Sequence, residues 1–410
     1  MSTSSINVKG NAVVGQSGGP TSAINATLAG VIRGVLELSD TGAIKTLYGM
    51  RNGIEGFLEE KMVNLSEIFA VEEDIKRLEL TPAAALGSCR KKMKSPTDDP
   101  KTYEKLFEIF KKYDIRYFFY IGGNDSMDTV LKLSRYAAEH DYEMRVVGVP
   151  KTVDNDLMVT DHTPGFGSAA KFVAVTMKEI LRDVSVYTTN AVTIVEVMGR
   201  DAGWLTASAS LADPDLIYLP EVAFDPEQFL DDIKRVQSDH PAVLVAVSEG
   251  IRFADGRYVG ECLGGRKVDA FGHVALSGAG KVLEDLVKDR IGCKVRSIEL
   301  NLPQRCAAHL ASKTDIDESV GVGRSAVSAA IEGKSAVMMT INRQDTDNYF
   351  VYYSSADIAG IANGVKQVPR EFINDEGNNI TDECKKYLAP LIRGEVYPEY
   401  ENGLPVHVII

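Results

Sequence analysis

The sequence predicts an α/β protein built on largely parallel sheets with helices on both faces. Short apolar, β-branched runs recur along the chain, and between many of them lie stretches whose apolar residues repeat with helical spacing. Continuous rather than alternating apolar strands suit a sheet buried on both faces, and strand–helix alternation is the mark of parallel crossovers.

The predicted strands, in order, are Asn11–Gly15, Arg116–Ile121, Arg145–Val149, Val192–Val197, Ala242–Val247, Arg296–Leu300 and Ala336–Ile341. Helical spacing fills Ala23–Glu37, Tyr103–Tyr113, Asp125–Ala138, Ser168–Asp183 and Pro226–Val236. No internal repeat or low-complexity segment interrupts the pattern. From roughly Ser354 the chain turns richer in Pro, Asn, Gly and charge, and a partly irregular wrap is expected there.

The 410 residues allow about two or three domains, and 44% hydrophobic with 25% charged residues is an ordinary globular balance. No apolar run reaches the roughly 18 residues of a membrane span, and the start, MSTSSINVKGN, lacks the basic-then-apolar layout of a secretory signal. The five scattered cysteines never form a CxxC pair, so a reduced, cytoplasmic setting without structural zinc is expected. A net charge of −13 argues against nonspecific nucleic-acid or anionic-membrane partners. Against that acidic background, a chain that handles phosphates must gather Arg and Lys locally.

In open α/β sheets, ligands sit beyond the carboxyl ends of strands, where loops meet helix N-termini. Four such junctions stand out. Gly15-Gln-Ser-Gly-Gly-Pro-Thr-Ser-Ala-Ile-Asn25 follows the first strand. Gly18 and Gly19 let backbone N–H groups approach an anion, although a tight βα turn would use the same residues. No Gly-Lys-Ser/Thr follows, so this is not a Walker A loop. Ile121-Gly-Gly-Asn-Asp-Ser126 forms a second anion nest, in which Asp125 or Ser126 could equally be an N-cap. Pro150-Lys-Thr-Val-Asp-Asn-Asp156 is the sharpest signal. An Asx turn explains one Asp, but not a lysine, a hydroxyl and two carboxylates converging at a strand end. A carboxylate there can take a proton from a sugar hydroxyl, and a lysine can offset charge on a transferring phosphoryl group. The fourth, Glu196-Val-Met-Gly-Arg200, adds a cation beside a glycine turn. Farther on come Glu249, Arg296, Arg305 and the run Arg90-Lys-Lys92. Together these point to a substrate with more than one phosphate.

Ser17-Gly-Gly19, Gly122-Gly-Asn-Asp-Ser126, Pro150-Lys-Thr-Val-Asp-Asn-Asp156, Met198-Gly-Arg200, Glu249 and Gln304-Arg305, in this order, resemble the phosphofructokinase family, and more closely its pyrophosphate-dependent branch. The likeness runs from about Asn11 to about Gly333. It implies two similar doubly wound, largely parallel-sheet domains with the active site in the cleft between them. The phosphoryl-donor domain would be 1–163 plus about 304–353, the sugar-phosphate domain 164–303, and 354–410 a C-terminal extension.

The resemblance assigns roles residue by residue. Asp154 matches the general base for the 1-hydroxyl of fructose 6-phosphate. Thr152, Asp156, Met198, Gly199, Arg200, Glu249, Arg296, Leu302 and Arg305 match the sugar-phosphate side. Gly18, Gly19, Arg90, Gly123, Asn124, Asp125, Ser126 and Lys151 match the pyrophosphate side. ATP-using relatives usually carry glycines at the positions of Asp125 and Lys151. A carboxylate and an ammonium there would close off the nucleoside end and serve pyrophosphate. The implied reaction is reversible, uses Mg²⁺ and takes place in a homodimer or homotetramer. An ATP-dependent 6-phosphofructokinase and a non-catalytic sugar-phosphate binder are the alternatives.

The chain also departs from the family pattern. Asn124 replaces the Asp that helps hold Mg²⁺, so either Asn124 acts through water or Asp125 takes over. Leu302 stands where His or Tyr is usual, and Ala191 where many relatives place an Arg that reaches the neighbouring subunit. Contacts to the 6-phosphate are therefore expected from Arg200, Arg296, Lys91 or Lys92. Ala29 replaces an effector-site arginine, so weak or absent control by ADP is expected.

Overall fold

The computed structural model describes residues 8–263, 278–346, 348–361 and 364–410. Among these residues, eleven strands form the two main sheets. β1 (Gly10–Gln16), β2 (Ile44–Met50), β3 (Met62–Asn64), β4 (Ile115–Gly122) and β5 (Arg145–Pro150) lie in the first. The chain then builds the second from β6 (Ala191–Val197), β7 (Leu216–Tyr218), β8 (Ala242–Ser248) and β9 (Lys294–Glu299). It returns to the first with β10 (Val337–Arg343) and β11 (Val351–Asp357).

The seven-stranded sheet runs β11-β10-β5-β4-β1-β2-β3, and the four-stranded sheet β7-β8-β6-β9. Within these two sheets, among the described residues, antiparallel pairing occurs only where β3 meets β2 and β11 meets β10, at the two edges of the larger sheet. All other named pairs in the two sheets are parallel. Apart from β9, a partly exposed edge of the smaller sheet, the apolar strands predicted from sequence are the interior ones. The centre of β4, Phe118, Phe119 and Ile121, is fully buried between helices, as its unbroken apolar run requires.

Several elements carry no clear sequence signal. β2 and β3 are partly exposed and β7 is only three residues long. The helix Lys313–Ile331 lacks a simple apolar stripe because it packs on several sides. It lies against the helix Ile24–Glu37 at close range. A methyl group on Gly30 would collide with the Val320 carbonyl oxygen, and one on Gly323 with that of Thr27. Bare glycines let the two backbones touch.

The last stretch wraps both halves. Ile373, Ile380, Cys384, Leu388 and Leu391 join the core built around Phe166 and Trp204. Val408 N–H, near the end, donates to Thr81 Oγ in the first half at 3.0 Å. Among the described residues no helix is long and apolar enough to cross a membrane.

Candidate active site

The carboxyl ends of β1, β4 and β5 open towards those of β6 and β8 across a cleft of about 480 Å³. Strand order reverses beside β1, with β2 on one side and β4 on the other, which is where open α/β sheets bind ligands.

Two glycine-bearing turns shape one wall of the cleft. Gly18 stands at φ +79°, a conformation suited to glycine. Its neighbour Gly19 has no Cβ for a different reason. A methyl there would stand 3.3 Å from Arg305 Nη1 and 3.9 Å from Arg90 Nη2. The missing side chain leaves room for an anion between backbone and guanidinium groups. Gly123 caps the helix Asn124–Glu139, whose N-terminus lines the same cleft. Gly122 has no space for a side chain, because Ser126 folds back over it.

Lys151 follows β5, and its Nζ donates to the Gly19 carbonyl at 2.7 Å. Burial pulls this ammonium down from 10.5 to about 8, while Asp154 and Asp156 hold it up. Asp125 lines the cleft wall, with Lys92 Nζ 3.5 Å from its carboxylate. Burial raises both Asp154 and Asp156 above the usual carboxyl range. Arg200 and Lys151 draw Asp154 back towards the carboxylate, whereas Asp156 meets Asp154 as a like charge.

On the other wall, Met198, Arg200 and Glu249 come from the ends of β6 and β8. Gly199 stands at φ +142° and its N–H donates to Glu249 Oε1 at 3.2 Å. Burial pushes Glu249 up to about 7. Arg200 Nε donates to Asp201 at 2.8 Å, and Arg252 grips the other oxygen of the same carboxylate.

Of the residues singled out from sequence, Gly18, Gly19, Arg90, Gly123, Asn124, Asp125, Ser126, Lys151, Thr152, Asp154, Asp156, Met198, Arg200, Glu249 and Arg305 all line this one cleft. Lys92 lines it too, and Lys91 does not.

The structure does not bring Arg296 or Leu302 to it. Arg296 sits near the start of β9, at the amino end of a parallel sheet whose carboxyl ends face the cleft, and lines a small hollow with Tyr187 and Ala191. Leu302 precedes the short helix Pro303–Cys306 and is 52% exposed; from that turn only Arg305 points a side chain at the site.

Sequence reasoning missed Asp201 and the pair Gly364–Val365, which also line the cleft. Asp201 adjoins Arg200, a local signal for an ion pair. Gly364 and Val365 come from an unpatterned segment and gave none.

Known proteins similar to this chain share one family. A family model described as Phosphofructokinase matches residues 11–328. A protein of Methylococcus capsulatus named pyrophosphate–fructose 6-phosphate 1-phosphotransferase is 43% identical over 98% of this chain and 96% of its own. One of Halomonas elongata with the same name is 41% identical over 96% and 94%. The crystal structure of a pyrophosphate-dependent phosphofructokinase from Nitrosospira multiformis superposes with a TM-score of 0.88 at 39% identity, covering 98% of this chain and 96% of the other. With the matched residues carrying every strand end that faces the cleft, the chain belongs to the phosphofructokinase family.

Proposed function

We propose that the protein transfers a phosphoryl group reversibly from inorganic pyrophosphate to the 1-hydroxyl of fructose 6-phosphate, giving fructose 1,6-bisphosphate and phosphate. One observation carries the donor assignment: Asp125 and Lys151 both line the cleft that holds Asp154. The bulk and negative charge of Asp125 oppose a nucleoside and its α-phosphate at that wall. Relatives that bear the pyrophosphate-dependent name over nearly their whole length support the same reading.

In this reading the seven-stranded half holds the donor and the four-stranded half the sugar phosphate. Gly18, Gly19, Arg90 and the N-terminus of the helix Asn124–Glu139 cradle pyrophosphate, with Gly123 and Ser126 completing the turn. Asp154 takes the proton of the attacking hydroxyl. Lys151 and Arg200 face the charge that spreads over the phosphoryl oxygens. Thr152, Asp156, Met198, Gly199, Glu249 and Arg305 orient the sugar phosphate. Arg296, turned away from its own cleft, serves the 6-phosphate of a neighbouring subunit in a homodimer or homotetramer, where Leu302 and Ala191 supply no charge.

The residues present fit a magnesium ion. Asn124 Oδ1 is buried without a hydrogen-bond partner beside Asp125 in the cleft. Among the described residues no cluster of three His, Cys, Asp or Glu could hold an ion unaided. Mg²⁺ commonly takes one or two protein oxygens and completes its shell from phosphates and water. Asn124 and Asp125 would hold it, and it would neutralise phosphate charge.

A coupled assay offering each donor separately tests the function. Turnover with pyrophosphate and fructose 6-phosphate, and none with ATP, is expected in the cytoplasm-like conditions of neutral pH and millimolar magnesium. Activity with ATP alone would overturn the donor assignment.

A further inference from the structure

The turn that carries Asp154 has little regular structure of its own. Asn155, at its centre, is fully buried and stands at φ +53°, in the left-handed region. What holds it comes from far along the chain. The Lys366 backbone N–H donates to the Asp156 carbonyl at 2.8 Å. Its Nζ donates to Asn155 Oδ1 at 3.1 Å, to the Thr160 carbonyl at 3.0 Å and to the Asp161 carbonyl at 2.7 Å. Three acceptors use all three protons of the ammonium.

The same residue faces the other half of the molecule. Its carbonyl accepts from Trp204 Nε1 at 2.9 Å, and its Nζ lies 5.3 Å from the centre of the Trp204 ring. Next to it, Gln367 Nε2 donates to the Asp201 carbonyl at 3.4 Å, and Val368 N–H donates to Glu221 at 2.9 Å. Gly364 and Val365, just before it, line the cleft. The short run from Gly364 to Val368 therefore joins the turn bearing Asp154 to the opposite wall. It lies beyond residue 328, where the family match ends.

We propose that Lys366 is a positioning residue for phosphoryl transfer, holding the Asp154–Asp156 turn from behind through Asn155 and the Asp156 carbonyl and tying it to the wall at Trp204. The proposal rests on the phosphoryl-transfer reading above. A plug that merely filled space could be apolar. Burying an ammonium is costly, and here burial lowers Lys366 to about 8 while Asp161 and Asp156 sustain its charge. The geometry that this charge fixes is the placement of Asp154. A displacement of roughly 1 Å at a reacting group costs on the order of 10²-fold in rate.

The test compares the full-length wild type with Lys366→Met, Asn155→Gly and the double variant, using pyrophosphate and fructose 6-phosphate. Asn155→Gly keeps the left-handed backbone and removes the side-chain acceptor. Each single variant should lose about tenfold to a hundredfold in kcat, with both KM values within about threefold. The double variant should lose clearly less than the product of the two single losses, because both changes break the Lys366–Asn155 contact.

Trp204 is the protein's one tryptophan, so its emission reports whether the segment is still seated. An unchanged maximum alongside the kcat loss supports positioning. A red shift that accompanies the loss would make Lys366 a staple of the fold and overturn the proposal. So would kcat within about twofold of wild type, a loss confined to KM, or losses that multiply in the double variant. If Lys366→Met fails to fold, Asn155→Gly makes the same test from the other side of the contact. A wild type that never turns over sinks the phosphoryl-transfer reading and this proposal together. An active wild type with an indifferent Lys366→Met sinks this proposal alone.

Discussion

Lys151 Nζ donates to the carbonyl oxygen of Gly19 at 2.7 Å, joining two loops that lie 132 residues apart in sequence. The bond fixes a buried ammonium beside the glycine-rich turn after β1. A methyl group on Gly18 would stand 3.3 Å from the same nitrogen. The cation is therefore set in place before any anion arrives, at the spot where two glycines leave backbone room.

That placement gives a pH dependence. Burial lowers Lys151 from 10.5 to about 8, so it is charged below about pH 8 and loses its proton above. The kcat/KM for pyrophosphate, which reports the free enzyme, should fall as pH rises through that value. Lys151→Met should lower kcat/KM by about 10²-fold at neutral pH and abolish this alkaline limb. A limb that survives unchanged in the variant would show that another group sets it.

The donor argument predicts the outcome of opening the wall. Asp125→Gly combined with Lys151→Gly should weaken pyrophosphate use and admit ATP, since a carboxylate and an ammonium no longer occupy the space. Initial rates with each donor decide it. Full retention of pyrophosphate activity in the double variant would refute the steric and electrostatic reading.

Asp154→Asn keeps the size of the side chain and removes the proton acceptor. Its kcat should drop by about 10²–10⁴-fold with modest changes in KM. Steady-state kinetics at saturating substrates measure this, and a loss of less than about tenfold would move the role of base to another group.

Gly30→Ala offers a test of packing with a sign opposite to helix propensity. In a solvent-exposed helix the change would stabilise by about 1 kcal/mol. Here the methyl meets the Val320 carbonyl of the partner helix, so a loss of about 1–3 kcal/mol is expected. The urea midpoint reads the difference, and an unchanged or raised midpoint would contradict the close contact.

Local chemistry wrote much of this protein into its sequence. The buried strands announce themselves because a parallel sheet covered on both faces needs unbroken apolar runs, as in Phe118–Ile121. The turns after β1, β4 and β5 are legible because binding an anion at a strand end needs glycines, and transferring a phosphoryl group needs a lysine and carboxylates nearby. The strands β2 and β3 and the helix Lys313–Ile331 are less visible, since partial exposure or packing on several sides blurs periodicity. Distance along the chain hid the rest. Arg296 sits in a motif-bearing region, yet the direction of a parallel strand carries it to the far end of the sheet. Lys366 carries no motif, and becomes significant only because the chain returns it to Asn155, 211 residues earlier. Sequence reveals which groups a site requires, because chemistry restricts residue type. Which distant residue stands behind that site is decided by packing, because hydrogen bonds depend on position in space and leave no periodic trace.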